Sequence, residues 1–249
     1  MRTTVRILDV EVDAVTLAEA VSMIGDAIDA RRGHGGAPFQ VATVNPEFVM
    51  LARRDREFRN ILRDASLRVP DAIGMMIGAR ILGRRFPERV PGVELVLALA
   101  RAAAARGDRM FLLGAAPGVA EEAAARLVAH APGLNIAGTF AGESTEDGDA
   151  ESLARVCAVN PDIILVAYGA PAQERWAVRN LAVSGAAVAI GVGGTFDYLA
   201  GRVRRAPALM RRVGLEWLFR LVAQPRRARR MVALPLFLGF VFRQRVTGA

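Results

Sequence analysis

The chain has 249 residues, 53% of them hydrophobic, and its 33 basic residues, all arginine, exceed its 25 acidic residues to give a formal charge of +8. This length and apolar content exclude a disordered chain and fit one large domain, or one domain with an appendage. The single cysteine, Cys157, excludes a disulfide framework and a cysteine cluster for structural zinc, and it fits a reducing cytoplasm. The first ten residues lack an apolar segment, so we expect neither a signal peptide nor an N-terminal anchor.

Apolar residues recur at strand and helix spacings in alternation along the chain. The predicted strands are 5–10, 41–45, 67–69, 110–114, 135–140, 162–167 and 186–192. The predicted helices are 17–30, 48–62, 72–82, 93–106, 119–131 and 147–159, and the helix over 72–82 is expected to bury Ile73, Met76, Ile77 and Ile81. Glycines predict a loop over 31–38, in which His34 is exposed. The alternation predicts an α/β fold of the Rossmann-like type, with a mostly parallel sheet flanked by helices.

Polar residues follow two of these predicted strands, each beside a proline. Thr43 and Asn45 end the strand over 41–45, and Asp71 follows the strand over 67–69. Because parallel strands place their carboxyl ends at one edge of a sheet, these side chains are expected to converge on one crevice. A carboxylate there suits a general base. The alternatives are that Asp71 caps the following helix and that the other two residues only form turns.

A glycine-containing turn follows the predicted strand over 110–114. Its Gly-x-x-x-Gly spacing, Gly114 to Gly118, does not match a dinucleotide fingerprint, and no acidic residue closes the following strand at the ribose position, so NAD binding is disfavoured. The N-terminus of the next helix could still bind a phosphate or a uridine edge through its N–H groups, which makes Gly114 a candidate binding residue. The alternative is a tight turn without a ligand.

Arginine is concentrated at the C-terminal end of the chain. Between Arg202 and Arg245 the only acidic residue is Glu216. The apolar run Met231–Phe242 contains Pro235 and is too short for a membrane span, which takes about 20 residues. We therefore expect this segment to lie on an anionic membrane surface without crossing it.

This charge distribution divides the chain into an α/β core over residues 1–200 and a basic, helical, membrane-binding appendage over residues 201–249. The first alternative is a terminal helix pair that packs on the core and leaves its arginines in water. The second is a nucleic-acid-binding protein. Long apolar runs interrupt the arginines, and no helix-turn-helix, RNA-binding or zinc motif is present, so nucleic acid is disfavoured as a partner.

Eight segments occur in a fixed order along the chain: Thr43-Val-Asn-Pro-Glu, Pro70-Asp-Ala-Ile-Gly, Glu88-Arg-Val-Pro-Gly, Phe111-Leu-Leu-Gly, Gly169-Ala-Pro-Ala-Gln-Glu, Gly191-Val-Gly-Gly-Thr-Phe-Asp, Gly214-Leu-Glu-Trp-Leu-Phe-Arg-Leu and Gln224-Pro-Arg-Arg. Together they resemble the WecG/TagA/CpsF family of bacterial glycosyltransferases over nearly the whole chain. The resemblance implies an inverting, metal-independent transfer of a sugar, typically of the N-acetylmannosamine type, from a UDP donor. It implies an undecaprenyl-diphosphate-linked sugar as the acceptor at the cytoplasmic membrane face, and no cofactor.

The resemblance also implies roles for particular residues. Asp71 matches the catalytic base of the family. The positions implied to contact substrate are Thr43, Asn45, Arg89 and Gln173 in the core, and Arg220, Arg227 and Arg230 in the appendage, which are expected to hold the donor diphosphate. Ala72 replaces a glycine and Ala172 replaces a lysine of the family motifs. These two differences leave the identity of the donor sugar undetermined. A non-catalytic nucleotide-sugar-binding protein of the same fold stays the alternative function, and a homo-oligomer is left open.

Overall fold

The computed structural model describes residues 2–203, 206–207, 210, 219 and 233–248. An N-terminal hairpin consists of β1 (Thr4–Ile7) and β2 (Val10–Asp13). The central sheet consists of β3 (Phe39–Val44), β4 (Leu67–Pro70), β5 (Arg109–Gly114), β6 (Asn135–Phe140), β7 (Ile163–Ala167) and β8 (Val188–Gly191). Its six strands are all parallel and lie in the order β4-β3-β8-β7-β5-β6.

Helices cover both faces of this sheet. They are α1 (Leu17–His34), α2 (Pro46–Ala52), α3 (Arg56–Asp64), α4 (Ile73–Ile81), α5 (Gly92–Arg106), α6 (Val119–His130), α7 (Glu146–Val159), α8 (Ala172–Asn180), α9 (Thr195–Leu199) and a C-terminal helix (Ala233–Thr247). Helices α1, α5 and α6 pack on one face, and α7 and α8 pack on the other. The strands other than the edge strand β6, which is partly exposed, are therefore largely buried on both sides, which explains their continuous apolar runs. The predicted Rossmann-like α/β fold is confirmed.

The predicted first strand, 5–10, is wrong, because this segment folds back on itself as the β1–β2 hairpin. Leu8 lies in the turn with φ +54°, a left-handed conformation that a branched side chain rarely adopts. Its backbone N–H donates to Gln244 Oε1 of the C-terminal helix at 3.0 Å. No glycine or asparagine marks this turn, so the usual sequence signal for a hairpin is missing.

Two predicted helix boundaries also differ from the structure. The predicted helix over 48–62 is two helices, because Asp55 accepts a hydrogen bond from the Phe58 N–H at 2.9 Å and starts α3 as a new helix. Helix α1 continues through the predicted loop as far as His34, which is exposed as expected, and ends at Gly35 with φ +66°.

The predicted buried face of α4 is wrong. The helix buries Gly74, Met75, Gly78 and Ala79, whereas Ile77 is 39% exposed and Ile73 and Met76 are half-buried. The C-terminal helix packs on the glycine side of α4. A Cβ built on Gly78 would lie 2.9 Å from the ring of Phe237, so the absence of a side chain lets the two helices approach closely.

The C-terminal helix has one buried and one exposed apolar face. Phe237 and Val241 are fully buried, and the Arg53 guanidinium lies 4.1 Å from the centre of the Phe240 ring. Leu236, Phe242 and Val246 are exposed on the same helix. In the part of the chain that the structure describes, no helix combines the length and the apolar character that a membrane span requires. Membrane contact by this segment stays a prediction.

Candidate active site

The predicted polar residues lie at the carboxyl ends of the parallel strands. Thr43 and Asn45 lie at the end of β3, Asp71 follows β4, and Gln173 lies in the first turn of α8, just after β7. The chain leaves β7 towards its neighbour β8 and leaves the adjacent strand β5 in the opposite direction, towards β6. Connections that diverge in this way open a crevice at the carboxyl ends of parallel strands, which is the usual ligand site of open α/β sheets.

Asp71 is held at this edge by backbone atoms from two directions. Its N–H donates to the Val44 carbonyl at 2.9 Å, and its Oδ1 accepts from the Gly92 N–H at 3.0 Å. Gly92 is the first residue of α5, so the carboxylate faces the positive end of that helix dipole. The alternative, that Asp71 caps α4, is wrong, because Ala72 is the N-cap residue of α4 and makes no side-chain capping bond. Asp71 remains partly exposed.

The segment before α5 brings Arg89 to the same place. The Val90 N–H donates to the Pro70 carbonyl at 2.8 Å, so this segment lies against the end of β4. Arg89 precedes Val90 and is half-buried. The backbone segment that carries Arg89 therefore lies next to the segment that carries Asp71, and the contact of Arg89 with a diphosphate stays a prediction.

Thr43 lies beneath the edge of the site. Its side chain is 5% exposed, and its Oγ1 donates to the Gly191 carbonyl at 3.0 Å, which links β3 to β8. A Cβ built on Gly92 would lie 3.6 Å from the Thr43 Cγ2 atom, so Thr43 also supports the start of α5. The contact of Thr43 with substrate stays a prediction, whereas its support of the Asp71 loop is visible in the structure.

Gln173 links the loops after β7 and β8. Its Oε1 accepts from the Gly169 N–H at 3.1 Å and from the Gly193 N–H at 2.9 Å. Its Nε2 donates to Glu174 Oε1 at 2.6 Å. A continuous set of contacts thus runs from Asp71 through Gly92, Thr43 and Gly191 to Gln173. The structure brings these predicted residues together on one side of the crevice.

Glu174 is a residue to which the sequence analysis gave no role. It is 1% exposed, and burial raises the pKa of its carboxyl to about 7, while the hydrogen bond from Gln173 acts in the opposite direction. Its Oε2 has no hydrogen-bond partner among the described residues. Glu174 stands in a quoted sequence motif, but nothing in a single sequence distinguishes this buried glutamate from an ordinary acidic residue in the first turn of a helix.

The other predicted site residues are not part of this set of contacts, or lie outside the described residues. Asn45 is the N-cap of α2, where its Oδ1 accepts from the Phe48 N–H at 3.1 Å. Gly114 has φ +100°, and a Cβ there would lie 2.9 Å from the Ala167 carbonyl carbon. Helix α6 then begins at Val119, and its N-cap residue, Gly118, has no side chain to cap it, which leaves first-turn N–H groups for a ligand. The remaining predicted contacts lie outside the described residues: Arg220, Arg227 and Arg230.

Among the residues that the structure describes, no three His, Cys, Asp or Glu side chains are grouped so that they could hold a metal ion.

The buried hydroxyl of Thr43 allows a direct test of how the site is supported. We expect Thr43→Val to lower the free energy of unfolding by about 1 to 3 kcal/mol, because the Gly191 carbonyl loses its buried donor. Thr139→Val is the matched control, since the Thr139 hydroxyl donates to Glu121 at an exposed position, and we expect a change within about 0.5 kcal/mol. Urea denaturation measures both changes, and equal effects would contradict the supporting role.

Comparison with known proteins identifies the family. A family model described as "Glycosyl transferase WecG/TagA/CpsF family" matches residues 5–249. The chain is 34% identical over 199 residues to the N-acetylglucosaminyldiphosphoundecaprenol N-acetyl-beta-D-mannosaminyltransferase of Bacillus subtilis, covering 79% of this chain and 76% of that protein. It is 32% identical over 203 residues to the Bacillus spizizenii protein of the same name, covering 82% and 78%. The resemblance seen in the motifs is confirmed, and the chain belongs to the glycosyl transferase WecG/TagA/CpsF family.

Proposed function

We propose that this chain transfers an N-acetylmannosaminyl group from a UDP-linked donor to N-acetylglucosaminyldiphosphoundecaprenol, with inversion at the anomeric carbon. The names of both Bacillus relatives support the transferred group and the acceptor. The observation on which the proposal depends is the Asp71 carboxylate, which is partly exposed at the strand-end crevice and held in place by the Gly92 N–H. A fixed, accessible carboxylate is what the attack of a sugar hydroxyl requires.

The reaction is a single displacement. An oxygen of the acceptor sugar attacks the anomeric carbon of the donor, and Asp71 takes the proton of that hydroxyl. The bond between the anomeric carbon and the β-phosphate oxygen breaks, and UDP leaves with the electron pair. One displacement at one carbon inverts its configuration.

The leaving diphosphate gains negative charge, which fixed cations can stabilise in the transition state. We propose Arg89 for this role in the core, together with Arg220, Arg227 and Arg230, which lie outside the described residues. An arginine suits a diphosphate because its planar guanidinium can donate to two phosphate oxygens at once. In this proposal the arginines act without a metal ion.

A lipid-linked acceptor requires the enzyme to reach a membrane. We propose that the protein acts as a peripheral protein on the cytoplasmic face of the cell membrane. The exposed apolar side chains of the C-terminal helix, Leu236, Phe242 and Val246, support this proposal, because such a face can enter the boundary between headgroups and acyl chains. The arginines of residues 201–249 would add attraction to anionic lipids.

A single assay tests donor, acceptor and metal dependence. The full chain is incubated with UDP-N-acetylmannosamine, UDP-N-acetylglucosamine or UDP-glucose, with a short-chain polyprenyl-diphosphate N-acetylglucosamine, and with or without EDTA. We expect a lipid-linked disaccharide and free UDP with the first donor, at equal rates in EDTA. Binding of UDP without product from any donor would instead favour the non-catalytic nucleotide-sugar-binding alternative.

A further inference from the structure

The proposed reaction leaves one buried ionisable group without a role. Glu174 lies one residue beyond Gln173, and its carboxyl is closed off from the crevice at 1% exposure. Its Oε1 accepts from Gln173 Nε2 at 2.6 Å, whereas its Oε2 has no hydrogen-bond partner within the described part of the chain. A buried carboxyl with one unsatisfied oxygen lowers the stability of the fold, so we expect a functional reason for its position.

The contacts of Gln173 supply that reason. A side-chain amide has a donor end and an acceptor end of nearly the same shape, so its orientation depends on what each end meets. The carboxylate of Glu174 can only accept, and it therefore requires the NH₂ end of Gln173. The amide oxygen must then face the Gly169 and Gly193 N–H groups, which it accepts at 3.1 and 2.9 Å.

The same pair of side chains fills the space beside Gly191. A Cβ built on Gly191 would overlap both Glu174 Oε1 and Gln173 Nε2, so only glycine fits there. The Gly191 carbonyl in turn accepts from the Thr43 hydroxyl. Glu174 and Gln173 therefore pack directly against the end of β8, between the two loops that border the crevice.

We propose that Glu174 is a positioning residue, whose carboxylate fixes the orientation of the Gln173 amide and so holds the loops after β7 and β8 in the geometry that receives the donor. This inference rests on the proposed function, because it assigns those loops to the donor. The orientation of the Gln173 amide can also be tested without any transfer reaction. Glu174 acts through Gln173 and does not contact the substrate itself.

The surroundings of Glu174 make this positioning sensitive to pH. Burial raises the pKa of the carboxyl to about 7. The charged side chains of α8 and of the helices against it are paired with each other: Arg175 with Asp55 and Glu57, and Arg179 with Asp149. From β3, the Gln40 amide reaches only the backbone carbonyl of Glu174, at 3.3 Å, and β7 and β8 present apolar residues. No described cation compensates the carboxylate, so it gains and loses its proton near neutral pH.

Nuclear magnetic resonance tests the positioning directly. In full-length protein labelled with ¹⁵N-glycine, we expect the amide resonances of Gly169 and Gly193 to shift with a midpoint near pH 7, as the carboxyl ionises. In Glu174→Gln the same resonances should not titrate, because the new amide keeps the size and an acceptor oxygen but has no proton to lose. Glu151→Gln, which removes an exposed carboxylate of α7, is the control and should titrate like the wild type.

Kinetics tests the consequence for the reaction. At pH 8 we expect Glu174→Gln to lower kcat/KM for the donor about tenfold, because a charge-assisted hydrogen bond is replaced by a neutral one. The wild type should gain activity between pH 6 and pH 8, and the variant should lack this rise. Glycine resonances that do not titrate, or a variant with wild-type kcat/KM at pH 8, would each overturn the inference. If the wild type forms no product, the proposed function fails, while the resonance experiment still decides the role of Glu174.

Discussion

Asp71→Asn is expected to lower kcat about 10³-fold while leaving UDP affinity and thermal stability close to those of the wild type. The asparagine Oδ1 can still accept from the Gly92 N–H, so the loop keeps its anchor. The amide cannot take a proton from the acceptor hydroxyl, and general base catalysis contributes about 10² to 10⁴ in rate. Transfer to a short-chain lipid acceptor gives kcat, and calorimetric titration with UDP gives the affinity.

Asp64→Asn is the matched control for this experiment. Asp64 is an exposed carboxylate at the end of α3 that pairs with its neighbour Arg63, away from the strand-end crevice. We expect wild-type kcat from this variant. A loss in Asp71→Asn that comes with weaker UDP binding or a lower melting temperature would assign the residue a structural role, and an unchanged kcat would remove it from the reaction.

Phe237→Ala is expected to lower the free energy of unfolding by about 3 to 5 kcal/mol, which is the usual cost of truncating a buried aromatic residue. Phe237 is fully buried, and its ring lies against Gly78 of α4. The start of α4 directly follows Asp71. We therefore also expect a lower kcat from the folded fraction of this variant, because α4 loses the contact between Gly78 and the Phe237 ring.

Phe242→Ala is the matched variant on the exposed face of the same helix, and it distinguishes an effect on stability from an effect on membrane binding. Phe242 is 62% exposed, so its truncation should change the free energy of unfolding by no more than about 0.5 kcal/mol. Binding to anionic vesicles should weaken in this variant if the exposed face meets a membrane. Chemical denaturation and vesicle sedimentation measure the two effects, and equal destabilisation by both substitutions would contradict the assignment of a buried and an exposed face.

The sequence was most informative where local patterns determine the structure. Continuous apolar runs that stop at polar residues beside proline predicted the parallel strands and the edge at which Thr43 and Asp71 meet. These predictions hold because strand direction alone places the carboxyl ends together. The ordered motifs added Arg89 and Gln173, and the structure places both residues at the same edge. The chemical roles of these residues stay predictions.

The errors arose where distant parts of the chain decide the outcome. The face of α4 was predicted from the spacing of its large apolar residues, but the C-terminal helix packs on its glycines instead. The hairpin turn at Leu8 has no glycine and is joined to Gln244, more than 200 residues later. The burial of Glu174 could not be predicted either, since it depends on contacts with Gly191 and Gln173 that no local pattern reveals.

The most direct measurement is the structure of the full chain with UDP and a non-reactive, short-chain analogue of the lipid-linked acceptor. The account predicts that the attacking hydroxyl lies about 2.6 to 3.2 Å from the Asp71 carboxylate, with the diphosphate of UDP against Arg89 and the C-terminal arginines. A hydroxyl bound by another base, or UDP bound at the opposite edge of the sheet, would contradict it.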